Sequence, residues 1–189
     1  MRTRRQDPRA RRKGLLATLG LVAVVGLVAL PLTSANAGSG GTSVTGSGTG
    51  GDCNKDAHLE HGKAIAPDCA PGRIKDVIAA ANKIRKKPYR WGGGHGSWKD
   101  SGYDCSGAVS YALHAGHFLS SPLDSSGLAK WGKRGKGQWI TVYGAPSHAY
   151  MVVAGLRFDT AMVRGDGPGW SKHLRSTPEN YKKRHKGKY

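Results

Sequence analysis

The sequence predicts an α+β fold in which N-terminal helices pack on an antiparallel sheet. Apolar residues recur at helical spacing over residues 73–86, and three short runs with strand character follow over residues 139–160. Because the helices precede the strands in the chain, the strands are expected to pair with one another. Residues 38–189, which follow a charged and then apolar N-terminal segment, have a length that suits one domain with one core.

The first 37 residues predict a secretory signal peptide. Seven basic residues near the N-terminus precede an uncharged apolar stretch over residues 15–32, and Ala35-Asn36-Ala37 fits a cleavage site. A retained membrane anchor is the alternative, but two glycines and Pro31 interrupt the stretch. We therefore expect a secreted protein, extracellular or associated with the cell wall, that meets the membrane only through this segment before cleavage.

Residues 52–70 form a polar segment that contains Cys53 and Cys69. In an oxidising compartment these two cysteines are expected to pair, which leaves Cys105 as a free thiol. A zinc site that combines them with two nearby histidines is the alternative, but the spacing matches no common zinc pattern. We expect neither a metal nor a cofactor.

Composition divides the rest of the chain into three parts. Residues 38–51 are mostly Gly, Ser and Thr and predict a flexible linker. Residues 71–175 carry the periodic elements and are expected to form the folded domain. Residues 176–189 are basic without apolar periodicity, so they predict a mobile tail on the surface.

The charge is strongly positive. Removing the signal's seven basic and one acidic residues from the net +18 of the whole chain leaves +12. Such a charge favours anionic partners, which for an exported protein means cell-wall polymers before nucleic acid. No aromatic-basic interleaving or recognised nucleic-acid motif is present, so specific nucleic-acid binding is not expected. We expect a monomer.

Two helices and a helical turn are predicted. The first covers residues 73–86 and ends before Pro88. The second opens at Asp104-Cys105, with Asp104 as N-cap, and closes at Gly116. The helical turn is predicted over residues 128–131.

The three strand candidates cover residues 139–143, 148–153 and 156–160. Ala154-Gly155 between the last two predicts a tight hairpin.

Cys105 is the candidate nucleophile. In the first turn of a helix, backbone N–H groups and the helix dipole stabilise a thiolate and lower the cysteine pKa. A buried structural thiol is the commoner state of a lone cysteine, but the N-terminal position and the acidic neighbour argue against it. The Cys105 backbone N–H is a candidate oxyanion donor.

His148 is the candidate base, since it begins a core strand where an imidazole can accept the thiol proton. Asp159, on the next strand across the hairpin, is the first candidate for the residue that orients the imidazole. Thr160 is the alternative, because one step in register exchanges the two faces of the strand.

Three sequence blocks resemble the signature of the NlpC/P60 family. They are Pro88-Tyr89-Arg90-Trp91-Gly92-Gly93, Asp104-Cys105-Ser106-Gly107, and the run from Ser147 to Gly155 beginning Ser147-His148-Ala149-Tyr150. The resemblance covers about residues 73–159. It implies a papain-like α+β core and cleavage of peptidoglycan stem peptides, often at a D-γ-glutamyl bond to a diamino acid.

The resemblance also implies residue roles. Cys105 is the nucleophile and His148 the base, Tyr89 assists at the oxyanion or substrate side, and Asp104 and Ser106 hold the amino end of the substrate. Members usually carry His, Asn or Gln as the third polar residue, whereas this sequence offers Asp159.

Alternative functions remain open at this point. The same Cys/His pair also suits an N-acetylmuramoyl-L-alanine amidase or an acyltransferase. A non-catalytic binder of the cell envelope is the third possibility, although a binder has no need of both Cys105 and His148.

Overall fold

The computed structural model describes residues 53–161, 167–176 and 180–189, all within the unit Ser47–Tyr189. The predicted signal peptide and linker lie outside these residues. Among the described residues, no helix combines the length and apolarity needed to cross a membrane.

The segment before the first helix is tied by the predicted disulfide. Cys53 and Cys69 are bonded, and Cys105 is a free cysteine, so both predictions are confirmed. Between the paired cysteines, strands β1 (His58–Glu60) and β2 (Lys63–Ile65) form an antiparallel hairpin.

The described helices are α1 (Gly72–Ile84), α2 (Cys105–Ala115) and α3 (Ser125–Leu128). The apolar face of α1 is buried as its spacing predicts, and α2 lies between the cap residues Asp104 and Gly116. Helix α3 begins before the predicted turn because Asp124 caps it, with its Oδ1 accepting from the Gly127 N–H at 2.6 Å.

The main sheet has six strands, and every neighbouring pair is antiparallel. In spatial order these are β3 (Lys133–Arg134), β8 (Lys182–His185), β4 (Ile140–Ala145), β5 (His148–Val153), β6 (Leu156–Asp159) and β7 (Gly169–Ser171). Helix α2 packs on β5 and α3 packs on β4, while α1 packs on α2. The predicted α+β arrangement is confirmed.

The predicted tail over residues 176–189 is wrong for its central part. Strand β8 lies inside the sheet, between β3 and β4, and pairs Val142 with Arg184 and Gly144 with Lys182. Apolar alternation could not reveal this strand, because each of its four residues is Lys, Arg or His.

The β5–β6 hairpin brings the predicted base and its partner together. Ala154 and Gly155 both have positive φ, of 46° and 79°, which suits the tight two-residue turn predicted for them. His148 therefore lies at one end of β5, and the neighbouring strand β6 ends at Asp159 beside it.

Candidate active site

Cys105 is the first residue of α2 and is half-buried. The N-cap Asp104 accepts from the Gly107 N–H at 2.7 Å through its Oδ1. The Cys105 N–H belongs to the first turn of the helix, whose N–H groups have no carbonyl partner within the helix. Cys105 therefore places its thiol and its N–H where an anion is stabilised.

A glycine-lined contact presses the loop after Trp91 against this helix start. A Cβ added to Gly107 would collide with the carbonyl oxygen of Gly93, and that oxygen accepts from the Asp104 N–H at 3.2 Å. The backbone of the loop thus reaches the first turn of α2 directly, and the side chains of its neighbours line the space around Cys105.

His148 and Asp159 form the pair that the sequence predicts. His148 Nε2 lies 2.8 Å from Asp159 Oδ1, and the two side chains are 17% and 0% exposed. Because Nε2 faces the carboxylate, Nδ1 is the nitrogen left for the thiol. The alternative partner, Thr160, is buried at the next position and is not the residue that this hydrogen bond reaches.

Two arginines lie next to the Asp159 carboxylate. Arg175 Nε donates to Oδ2 at 2.9 Å, and Arg157 Nε lies 3.6 Å from the same oxygen. The Ala161 N–H donates to Oδ1 at 2.9 Å. A fully buried carboxylate is costly unless it is paired, and here each oxygen has partners.

The titration behaviour follows from these contacts. Burial raises the pKa of the Cys105 thiol, but hydrogen bonds with His148 and with the Ala149 backbone outweigh it and lower that pKa. Burial disfavours the charged His148 ring, yet hydrogen bonds and charges from Asp159 and Cys105 raise its pKa to about 9. Burial raises the pKa of Asp159, but hydrogen bonds outweigh this effect and lower that pKa to about 2. The hydrogen bond with His148 is the strongest of them. The site therefore favours a thiolate–imidazolium pair.

A second imidazole–carboxylate pair lies next to the nucleophile. His95 Nε2 is 3.1 Å from Asp104 Oδ1 and 3.2 Å from Ser106 Oγ. Ser106 Oγ donates to the same carboxylate oxygen at 3.1 Å, and the Gly92 N–H donates to Oδ2 at 3.1 Å. This cluster is polar, fixed and adjacent to Cys105.

A groove of about 350 Å³ opens beside Cys105. Trp91, His95 and Asp104 contribute to its lining, as do residues 124–126 and 146–147. Ser125 Oγ donates to the Pro146 carbonyl at 2.9 Å, which ties α3 to the β4–β5 turn along the groove. The volume of this groove suits a short peptide segment beside the thiol.

The two aromatic residues of the first block are both accessible. Tyr89 forms an isolated bridge with Tyr103 and is 40% exposed, and Trp91 is 90% exposed. Partial burial raises the Tyr89 pKa, and the charges of Cys105 and Asp104 raise it further, so the phenol stays protonated as a donor near the thiol.

The structure thus brings together Cys105, His148 and Asp159 in one cluster, and Asp104 and Ser106 in a second one next to it. Sequence reasoning missed His95 and Arg175. His95 follows a run of three glycines that gives no periodicity, and Arg175 is distant in sequence from every motif. Among the described residues, no group of three or more His, Cys, Asp or Glu side chains could hold a metal ion.

The fold and the site together define a cysteine–histidine–aspartate constellation on an α+β scaffold. No protein-family profile matches the sequence, and no curated protein matches it. Several solved structures are similar to the chain.

The P60 domain of an antigen from M. avium subspecies paratuberculosis is 21% identical over 59% of this chain and 93% of that chain, with a TM-score of 0.48. A substituted form of the resuscitation promoting factor interacting protein RipA is 23% identical over 68% and 71%, with a TM-score of 0.46. An NlpC/P60 family protein from Bacillus cereus is 18% identical over 63% of this chain but 41% of its own, with a TM-score of 0.46. NlpC/P60 is the family that the three sequence blocks resemble.

Proposed function

We propose that this protein is a secreted NlpC/P60-type cysteine endopeptidase that hydrolyses peptide bonds in peptidoglycan stem peptides. The observation that carries the proposal is the Asp159–His148 hydrogen bond behind a half-buried thiol at a helix start. The resemblance of the three sequence blocks supplies the substrate class.

The first half-reaction forms a thioester. The Cys105 thiolate adds to the carbonyl carbon of the scissile bond, and the oxygen takes up the negative charge. The Cys105 N–H and the Tyr89 hydroxyl are the donors available to that oxyanion. The C–N bond then breaks, and the His148 imidazolium gives its proton to the leaving amine.

The second half-reaction releases the acyl group. The neutral His148 ring takes a proton from water, the resulting hydroxide adds to the thioester, and the C–S bond breaks to regenerate the thiolate. Asp159 holds the ring in one orientation throughout, and Arg175 holds Asp159.

The Asp104 cluster binds the amino end of the substrate in this proposal. A carboxylate and a hydroxyl beside the thiol suit a protonated amino group, in line with the role that the resemblance implies for Asp104 and Ser106. A substrate with a free amino end near the bond, such as a γ-D-glutamyl–diamino acid stem peptide, fits this arrangement.

The test uses a synthetic stem peptide with a γ-D-glutamyl–diamino acid bond, and mass spectrometry of the products. Wild type is expected to cleave that bond, Cys105→Ala to be inactive with an unchanged melting temperature, and the N-acetylated peptide to be cleaved poorly. Cleavage by folded Cys105→Ala at the wild-type rate would refute the proposal. Release of muramic acid from a muropeptide, with the stem bond intact, would identify an amidase instead.

A further inference from the structure

Strand β8 gives the sheet a concentrated positive charge near one edge. A depression of about 430 Å³ lies beside it, lined by Arg134, Gly135, Tyr181 and residues 182–184. Its described lining therefore has four cationic side chains and no acidic one. Cations gathered in a concave surface raise the local concentration of anions.

A second depression continues the first toward the catalytic groove. It has about 270 Å³, shares Lys182 and Arg184 with the first depression, and adds Lys130. It also shares Ser126 and Pro146 with the groove at Cys105. The three depressions therefore follow one another, and the cationic ones lead to the nucleophile.

These cations are available to a ligand. We name Lys130, Arg134, Lys182, Lys183 and Arg184 the cationic track. Arg184 Nε donates to the Ala129 carbonyl, which fixes its side chain in place. No ion pair between described residues includes a member of the track.

We propose that the cationic track is a binding site for a phosphodiester polymer of the cell wall. In an extended strand, residues two positions apart share one face and lie about 6.6 Å apart, so Lys182 and Arg184 offer neighbouring charges to a flexible chain of phosphates. Arginine and lysine are the usual phosphate partners, Arg134 and Arg184 through their planar forks. Grooves that bind single-stranded nucleic acid offer several aromatic side chains on which successive bases stack. The described lining of the two depressions has one aromatic residue, Tyr181, which favours a polymer without bases.

This binding needs none of the reacting groups, although Tyr181, which lines the first depression, packs edge-on against the His148 ring with the ring centroids 6.3 Å apart. It assigns the affinity for anionic wall polymers that the net charge predicts to strand β8, which is paired in the sheet, and not to a mobile tail.

The test measures binding of the full chain to soluble poly(glycerol phosphate) over a range of salt concentrations. Arg134→Gln/Lys182→Gln/Lys183→Gln removes three track charges, and Lys83→Gln/Lys86→Gln/Lys87→Gln removes three exposed charges that line none of the three depressions. Mixed-sequence single-stranded DNA and vesicles containing phosphatidylglycerol serve as competing probes.

The track variant is expected to bind poly(glycerol phosphate) about ten-fold more weakly, with the salt slope reduced by about one per lost contact. The control variant is expected to stay within about two-fold of wild type. If the track triple variant has a lower melting temperature than wild type, the double variant Arg134→Gln/Lys182→Gln is used, and it is expected to weaken binding about four-fold.

Equal weakening in both triple variants would overturn the proposal, as would no binding by wild type. Tighter binding to the DNA or to the vesicles than to poly(glycerol phosphate) would assign the track to that other class of ligand. None of these assays involves hydrolysis, so the outcome is independent of the proposed peptidase activity.

Discussion

Two imidazole–carboxylate pairs lie near Cys105, and they differ in what surrounds the carboxylate. Asp159 is fully buried, bonds His148 and is backed by Arg175 and the Ala161 N–H. Asp104 retains 11% exposure, bonds His95 and is backed by the N–H groups of a glycine loop and a helix start.

The difference supports the two proposed roles, which are proton transfer for the His148 pair and substrate binding for the Asp104 cluster. His148 titrates with Cys105, since each shifts the pKa of the other toward the ion pair. His95 instead contacts Ser106 Oγ and lines the groove, where a substrate group can replace or share its hydrogen bonds. In the proposed mechanism, the same two residue types thus form a base with its orienting partner in one place and a binding cluster in the other.

Replacing the two histidines by alanine is expected to give the largest difference in kcat/KM between the two pairs. His148→Ala is expected to lower kcat/KM by about 10³-fold, because both proton transfers are lost. His95→Ala is expected to cost about ten-fold or less, mainly in KM, because Asp104 and Ser106 remain. Steady-state kinetics on the stem peptide measure both. A larger loss in His95→Ala than in His148→Ala would reverse the two roles.

The two carboxylates give the next largest contrast. Asp159→Asn is expected to lower kcat about 100-fold, because an amide cannot stabilise the imidazolium. Asp104→Asn keeps a good N-cap and is expected to raise KM for peptides with a free amino end. Kinetics on free and N-acetylated peptides separate the effects. An equal KM change for both peptides in Asp104→Asn would contradict the binding role.

Acid should weaken the fold through Asp159. Its pKa is lowered from 3.8 to about 2, so its contribution is present above about pH 4 and is lost as the pH falls through about 2. The shift corresponds to about 2 kcal/mol of unfolding free energy. Urea denaturation between about pH 5 and pH 2 is expected to have a shallower pH dependence in Asp159→Asn. Identical slopes in the two proteins would contradict this assignment.

Arg175 gives the smallest expected change, in the alkaline limb of the pH profile. Wild-type activity is expected to fall as the pH rises through about 9, where the imidazolium loses its proton. Arg175 Nη2 lies 3.2 Å from His148 Nε2, so the guanidinium disfavours the charged ring. Arg175→Gln is expected to move the limb upward by about one pH unit or less, and Arg175→Lys to move it less. A downward shift in Arg175→Gln would exclude this role.

The sequence predicted the parts of the site that local patterns encode. Short-range rules predict Asp104 as N-cap, Cys105 in the first turn and the Ala154-Gly155 hairpin. The hairpin brings Asp159 within hydrogen-bond distance of His148. Arg175 and strand β8 depend instead on where distant segments meet. Neither a lone arginine nor a run of Lys, Lys, Arg and His carries the periodicity from which a strand or a contact is predicted.

Digestion of purified peptidoglycan by wild type and by Cys105→Ala tests the central claim most directly. Soluble stem-peptide fragments are expected from wild type alone, with masses that place the cut at one peptide bond and new amino groups on the peptide. Fragments from both proteins, or from neither while both are folded and bound to the wall, would contradict a cysteine peptidase of the wall.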